Sequence, residues 1–163
     1  STRKLRTKEG AVYFGTFTCY RWLPLIHATN AYDTVYNWMH VAHEKGYRFL
    51  GYAIMPNHAH FLIRVPEGGA INTMLGNGKR FIAYEIIKQL EQAGRVDLLE
   101  QLQAGVRKSD AMRGKQHRVF ETSTDLIECF SVKIRPPQGE PLIAARANLR
   151  RVSRLRGPCG SEP

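Results

Sequence analysis

Three shortages in this 163-residue chain exclude whole classes of protein before any motif is considered. No apolar run approaches the roughly 18 residues that a membrane-spanning helix needs, so no span is expected. The opening Ser1-Thr2-Arg3-Lys4-Leu5-Arg6 is basic and lacks the apolar segment of a secretory signal, which points to a cytoplasmic protein. Cysteine is scarce: Cys19, Cys129 and Cys159 are odd in number and widely spaced, and fit neither a disulfide framework nor a thiolate zinc site. Acidic residues are short as well, with 14 Asp and Glu against 24 Lys and Arg, a net charge of +10. Such an excess points to a polyanionic partner, nucleic acid first. The alternative is a surface kept basic for solubility, or a basic tail that inflates the sum. The chain has no internal repeat. Gly69 to Arg80, G-A-I-N-T-M-L-G-N-G-K-R, has glycines and cations but is no phosphate-binding Walker loop; it reads as a helix entry and a possible backbone contact with DNA.

What is present reads as one compact domain and a tail. Val12 to Tyr20 is rich in aromatic and β-branched residues and predicts a strand. Asn30 is a candidate cap for a helix over 31–45, with Val35, Trp38, Met39 and Ala42 as its apolar stripe and Gly46 as its stop. Two strands follow, Arg48 to Met55 and His58 to Val65, divided by Pro56-Asn57. Helical patterns cover about 70–93 and 97–106, and Gln116 to Glu121 offers a fourth strand. This order predicts an α+β fold, a ferredoxin-like sandwich with helices packed on an antiparallel sheet. From Ile134 the texture turns to Arg and Pro with few large apolar groups. The expected division is therefore a domain over 1–133 and a basic tail over 134–163, disordered or degenerate.

The sharpest local feature is Met55 to Ile63, M-P-N-H-A-H-F-L-I. In an extended strand residues i and i+2 share a face, so His58, His60, Leu62 and Arg64 lie on one side and Ala59, Phe61, Ile63 and Val65 on the other. Two imidazoles on one face can grip a single divalent cation; the bland alternative is two separately hydrogen-bonded histidines. Asn57 reads as a turn former rather than a ligand. His40 and His43, i and i+3 on a helix, read as a solvated face.

The long helix carries a second feature. Leu75, Ile82, Ile86 and Leu90 make its apolar stripe, and Tyr84 falls roughly opposite, in a column with Arg80 and Lys88. Either Tyr84 is a partly exposed ring resting on its cationic neighbours, or it is a reacting group. A phenol is a poor nucleophile at neutral pH, and a nearby cation would favour its phenolate. Read together, the two features describe attack by Tyr84 on a phosphodiester activated by metal at His58 and His60.

On these residues the chain resembles a known family. G-Y-A-I-M-P-N-H-A-H-F-L-I, Gly51 to Ile63, is similar to the His-hydrophobic-His signature of IS200/IS605-like transposases and their REP-associated tyrosine transposase relatives. N-G-K-R-F-I-A-Y-E-I-I-K, Asn77 to Lys88, resembles their nucleophile helix. The resemblance implies a single-tyrosine enzyme that nicks and joins single-stranded DNA with Mg²⁺ or Mn²⁺, often at hairpin ends, and that works as a homodimer. It implies His58 and His60 as metal ligands and Tyr84 and Lys88 as catalytic groups, with Arg80, Lys79 and Arg64 contacting DNA. Two departures stand out. Where the family often carries Gln or Asn four residues after the nucleophile this chain has Lys88, and no His-x-Asn-Pro segment follows. The rival reading is a DNA-binding descendant that no longer cleaves. An RNA-binding module of the same fold would show aromatic pairs in place of the histidines, and a two-histidine phosphoesterase would need a second His-x-Thr/Ser copy that is absent.

Overall fold

A computed structural model describes residues 10–122 and 124–129. Four strands form one antiparallel sheet: β1 (Val12–Thr18), β2 (Arg48–Ile54), β3 (His58–Arg64) and β4 (Asp125–Glu128), in the spatial order β2-β3-β1-β4. The helices are α1 (Leu25–Ala28), α2 (Tyr32–Glu44), α3 (Ile71–Gln92), α4 (Val96–Ala104) and α5 (Lys108–Ala111). The architecture is α+β with the ferredoxin-like strand order, and β3, bearing the histidines, lies inside the sheet.

Alternation along the strands decides which face is core. Tyr13, Gly15 and Phe17 of β1 lie opposite Ile63, Phe61 and Ala59 of β3, and all six are buried. Against this face α2 lays Val35, Trp38, Met39 and Ala42, spaced i, i+3, i+4 and i+7. From α3 come Ile71, Met74, Leu75, Ile82, Ile86 and Leu90. Trp38 sits over Phe17, Phe49 and Phe61 with ring centroids 5.1–5.6 Å apart, in tilted and edge-to-face contacts. The two helices approach closely where Gly78 meets Trp38: a Cβ there would lie 2.3 Å from the indole, so only glycine fits. Gly46, at φ +90°, ends α2 by a turn that a side chain would resist.

Two expectations need correction. Asn30 does not cap α2. It sits at φ +50°, in the left-handed region Asn tolerates, and Ala31 precedes the helix without any side-chain cap. The fourth strand is Asp125–Glu128, which pairs with Tyr13 to Thr16, and not 116–121. The 119–121 backbone instead takes the polar groups at the far end of β1: Tyr20 N–H donates to Val119 O, Glu121 N–H to Thr18 O, and Cys19 bridges Phe120. With β4 already on that edge, the earlier segment has too little strand to pair with. The expected tail, 134–163, lies outside the described residues.

Candidate functional site

Strand pairing puts His58 opposite Thr18, and His60 opposite Thr16 on β1 and Ala53 on β2. These side chains project from the sheet face opposite the one packed by α2 and α3. The imidazoles lie edge to face with centroids 4.8 Å apart. Each ring is oriented by its Nδ1. Asn57 Nδ2 donates to Trp22 O at 3.3 Å, which turns Asn57 Oδ1 towards His58, and His58 Nδ1–H donates to it at 2.7 Å. His60 Nδ1 lies 2.9 Å from the Thr16 hydroxyl, and Phe14 stacks on its ring. A histidine whose Nδ1–H is engaged keeps its lone pair on Nε2, the arrangement metal-binding histidines use. Partial burial, and then the neighbouring His60, hold His58 below the ordinary histidine range, so it is neutral at pH 7, the form that ligates.

The residues present therefore fit a divalent ion on the Nε2 side of the pair. Among the described residues no group of three or more His, Cys, Asp or Glu could hold a metal. Two nitrogen donors suit Mn²⁺ better than Mg²⁺, which prefers an all-oxygen shell.

Of the three expected DNA contacts, Arg64 shares the histidine face and is exposed, opposite Arg48 of β2. Arg80 is exposed on α3 and donates to Asn77 Oδ1 at 3.1 Å. Lys79 points inward: its Nζ donates to Glu121 O at 3.1 Å and stands 5.5 Å over the Phe17 ring. Burial pushes its pKa down to about 8, although Asp125 and Glu121 pull the other way. Tyr84 is 69 % exposed, and Lys88 lies 3.9 Å from Glu85. Tyr84, Arg80 and Lys79 line a groove of about 600 Å³ together with Arg113, Lys115 and His117 from the segment after α5. No histidine of the β3 pair lines it. Within one chain, then, the sheet stands between Tyr84 and the histidines.

Two further tyrosines, Tyr47 and Tyr52, are no better placed to act as nucleophiles. The Tyr47 hydroxyl accepts from Ala70 N–H at 2.9 Å inside the core, and Tyr52 packs edge-on against Tyr36 on the helical side of the sheet. Cys19 is buried, which pushes its thiol up to about 12 and removes it as a nucleophile. His40 is paired at the surface with Glu44, 3.5 Å away. Sequence reasoning missed Thr16 and Trp22. The first becomes visible only through strand register, the second only through a turn 36 residues from His58 in sequence (58 − 22).

Among the described residues no helix is long and apolar enough to cross a membrane. No protein-family model and no curated protein matches the chain. Solved structures similar to the chain include two described as transposases. One is a REP-associated tyrosine transposase bound to a REP hairpin, at 16 % identity and TM-score 0.48, over 82 % of this chain. This chain spans 64 % of that protein's length. The other is a Deinococcus radiodurans protein crystallised as a candidate transposase, at 11 % identity and TM-score 0.48, over 93 % of this chain and 95 % of that one. At such identities neither assigns a role to any residue here.

Proposed function

We propose that this chain is a metal-dependent DNA-processing protein of the tyrosine-transposase kind, acting on single-stranded DNA at hairpin ends. The observation that carries the reading is the His58–His60 pair, oriented by Asn57 and Thr16, with Arg64 on the same exposed face. Mn²⁺ or Mg²⁺ bound there would polarise a phosphoryl oxygen. The other steps belong to the chain. Arg64 binds a neighbouring phosphate and fixes the strand's register. The Tyr84 phenol oxygen forms a bond to phosphorus as the bond to the leaving sugar oxygen breaks; the phenol gives its proton to solvent water, and the departing sugar oxygen takes one from solvent water to leave as a hydroxyl. Lys88, one turn from Tyr84, favours the phenolate. Because α3 lies across the sheet from the histidines, Tyr84 serves the histidine pair of a second copy, and the working unit is a homodimer with composite sites.

The same separation favours a second reading, a DNA-binding descendant that does not cleave. Covalent trapping on a single-stranded hairpin oligonucleotide with Mn²⁺ distinguishes the two. The wild-type chain should form a protein–DNA adduct that Tyr84→Phe and His60→Ala each abolish. Mixing the two variants should restore part of it, since one composite site is then intact. An adduct that survives Tyr84→Phe rejects Tyr84. No adduct with wild type, while the oligonucleotide still binds, establishes the second reading.

A further inference from the structure

Directly after β1 the backbone turns through Tyr20–Trp22, where two consecutive residues, Arg21 and Trp22, take φ +52° and +59°. Left-handed backbone is disfavoured for side chains of this size and persists only where the surroundings hold it. Here they do. Arg21 N–H donates to Glu121 Oε1 at 3.0 Å, Trp22 N–H to Cys19 O at 3.0 Å, and Asn57 Nδ2 to Trp22 O. The turn does not bury the indole. Trp22 is 60 % exposed and stands edge-on to His58, with centroids 5.4 Å apart. One amide, that of Asn57, thus holds both the Trp22 backbone and the His58 ring. Strain that presents a large aromatic to solvent beside a ligand pair, with little packing in return, is accounted for by something that covers the ring.

We propose that Trp22 is a stacking platform for an unpaired nucleobase, and that it positions the adjoining phosphate at His58 and His60. The inference rests on the DNA-binding reading above and adds the element that grips the base. An exposed aromatic face accepts any base, while a base inside a duplex already has both faces occupied, so the platform selects single strands over duplex. The exposed, basic Arg21 adjoins it and Arg64 lies further along the same face, which supplies the charge complementarity a phosphate backbone needs.

The test uses the full chain without added metal, a thymidine oligonucleotide, and an abasic oligonucleotide of equal length. The chain has two tryptophans, and Trp38 is 6 % exposed in the core, so any change in emission on stacking comes from Trp22. Thymidine oligonucleotide should quench the indole and the abasic one should not. Trp22→Ala should weaken thymidine binding about tenfold, leave abasic binding unchanged, and melt at the wild-type temperature. Trp22→Phe should recover most of the affinity. Binding without quenching, or equal affinity for Trp22→Ala, overturns the platform while leaving the DNA-binding reading intact. If the wild-type chain binds neither oligonucleotide, both fall.

Discussion

Along β3, Ala59, Phe61 and Ile63 are almost wholly buried, whereas His58, His60 and Leu62, one residue out of step, are only partly so. The inner face is a lock of aromatic rings: Phe61 meets Phe17, Phe49 and Trp38 at centroid distances of 5.1–6.0 Å. The outer face carries hydrogen-bonded imidazoles, a threonine, a tryptophan and arginines. Stability is concentrated on the first, and we assign the chemistry to the second. Because the strand period is two, a single strand holds both without either interfering with the other. A substitution should therefore be read by its parity in β3.

The largest effect is expected on the inner face. Phe61→Ala should cost about 3–5 kcal/mol, since it leaves a cavity among three rings, and chemical denaturation measures it. A loss below about 1 kcal/mol would mean the rings are not the support they look like. Gly78→Ala comes next. The added methyl meets the Trp38 indole, and the helices can separate only by disturbing Phe17 and Phe61, so a loss of about 1–3 kcal/mol is expected. A neutral result would show that α2 and α3 move apart freely.

Lys79 sharpens the comparison through pH. Its folded pKa of about 8 lies below the ordinary value of 10.5, so between the two the unfolded chain binds more protons. By linkage, stability rises as pH climbs through that window, and the cost of keeping the ammonium charged inside applies in full below it. Lys79→Met should remove the rise between about pH 8 and 10.5, seen as melting temperatures that no longer climb relative to wild type. An identical slope in both proteins would mean that Lys79 is solvated and available to DNA. Tyr84→Phe should have the smallest effect on folding, within about 0.5 kcal/mol, because the hydroxyl it removes is on an exposed ring. A larger loss would place Tyr84 in the fold rather than at its surface.

Much of this was legible in the sequence, for identifiable reasons. The strand of His58 to Arg64 and the helix of Ile71 to Gln92 were readable because burial imposes periods of two and 3.6 on their apolar residues. The shared face of His58 and His60 follows from that same period. Asp125–Glu128 was missed because a four-residue edge strand has too few alternations to stand out, and 116–121 resembled a strand because its Val119 and Phe120 are buried while its backbone bonds are shared piecemeal. Tyr84 shows the deeper limit. A helical wheel says that it leaves the core stripe, but which side of the sheet its helix covers is a tertiary fact. Trp22 carried no signal, since its role depends on a left-handed turn that no local propensity specifies.

The central claim, that the outer face of β3 is a metal and DNA site, is tested most directly by a Mn²⁺ titration of the full chain followed by electron paramagnetic resonance. Wild type should bind about one ion per chain, and the His58→Ala/His60→Ala double variant should bind none while melting within a few degrees of wild type. Equal Mn²⁺ binding by the two proteins would contradict it, and would leave the pair as two histidines satisfied by Asn57 and Thr16 alone.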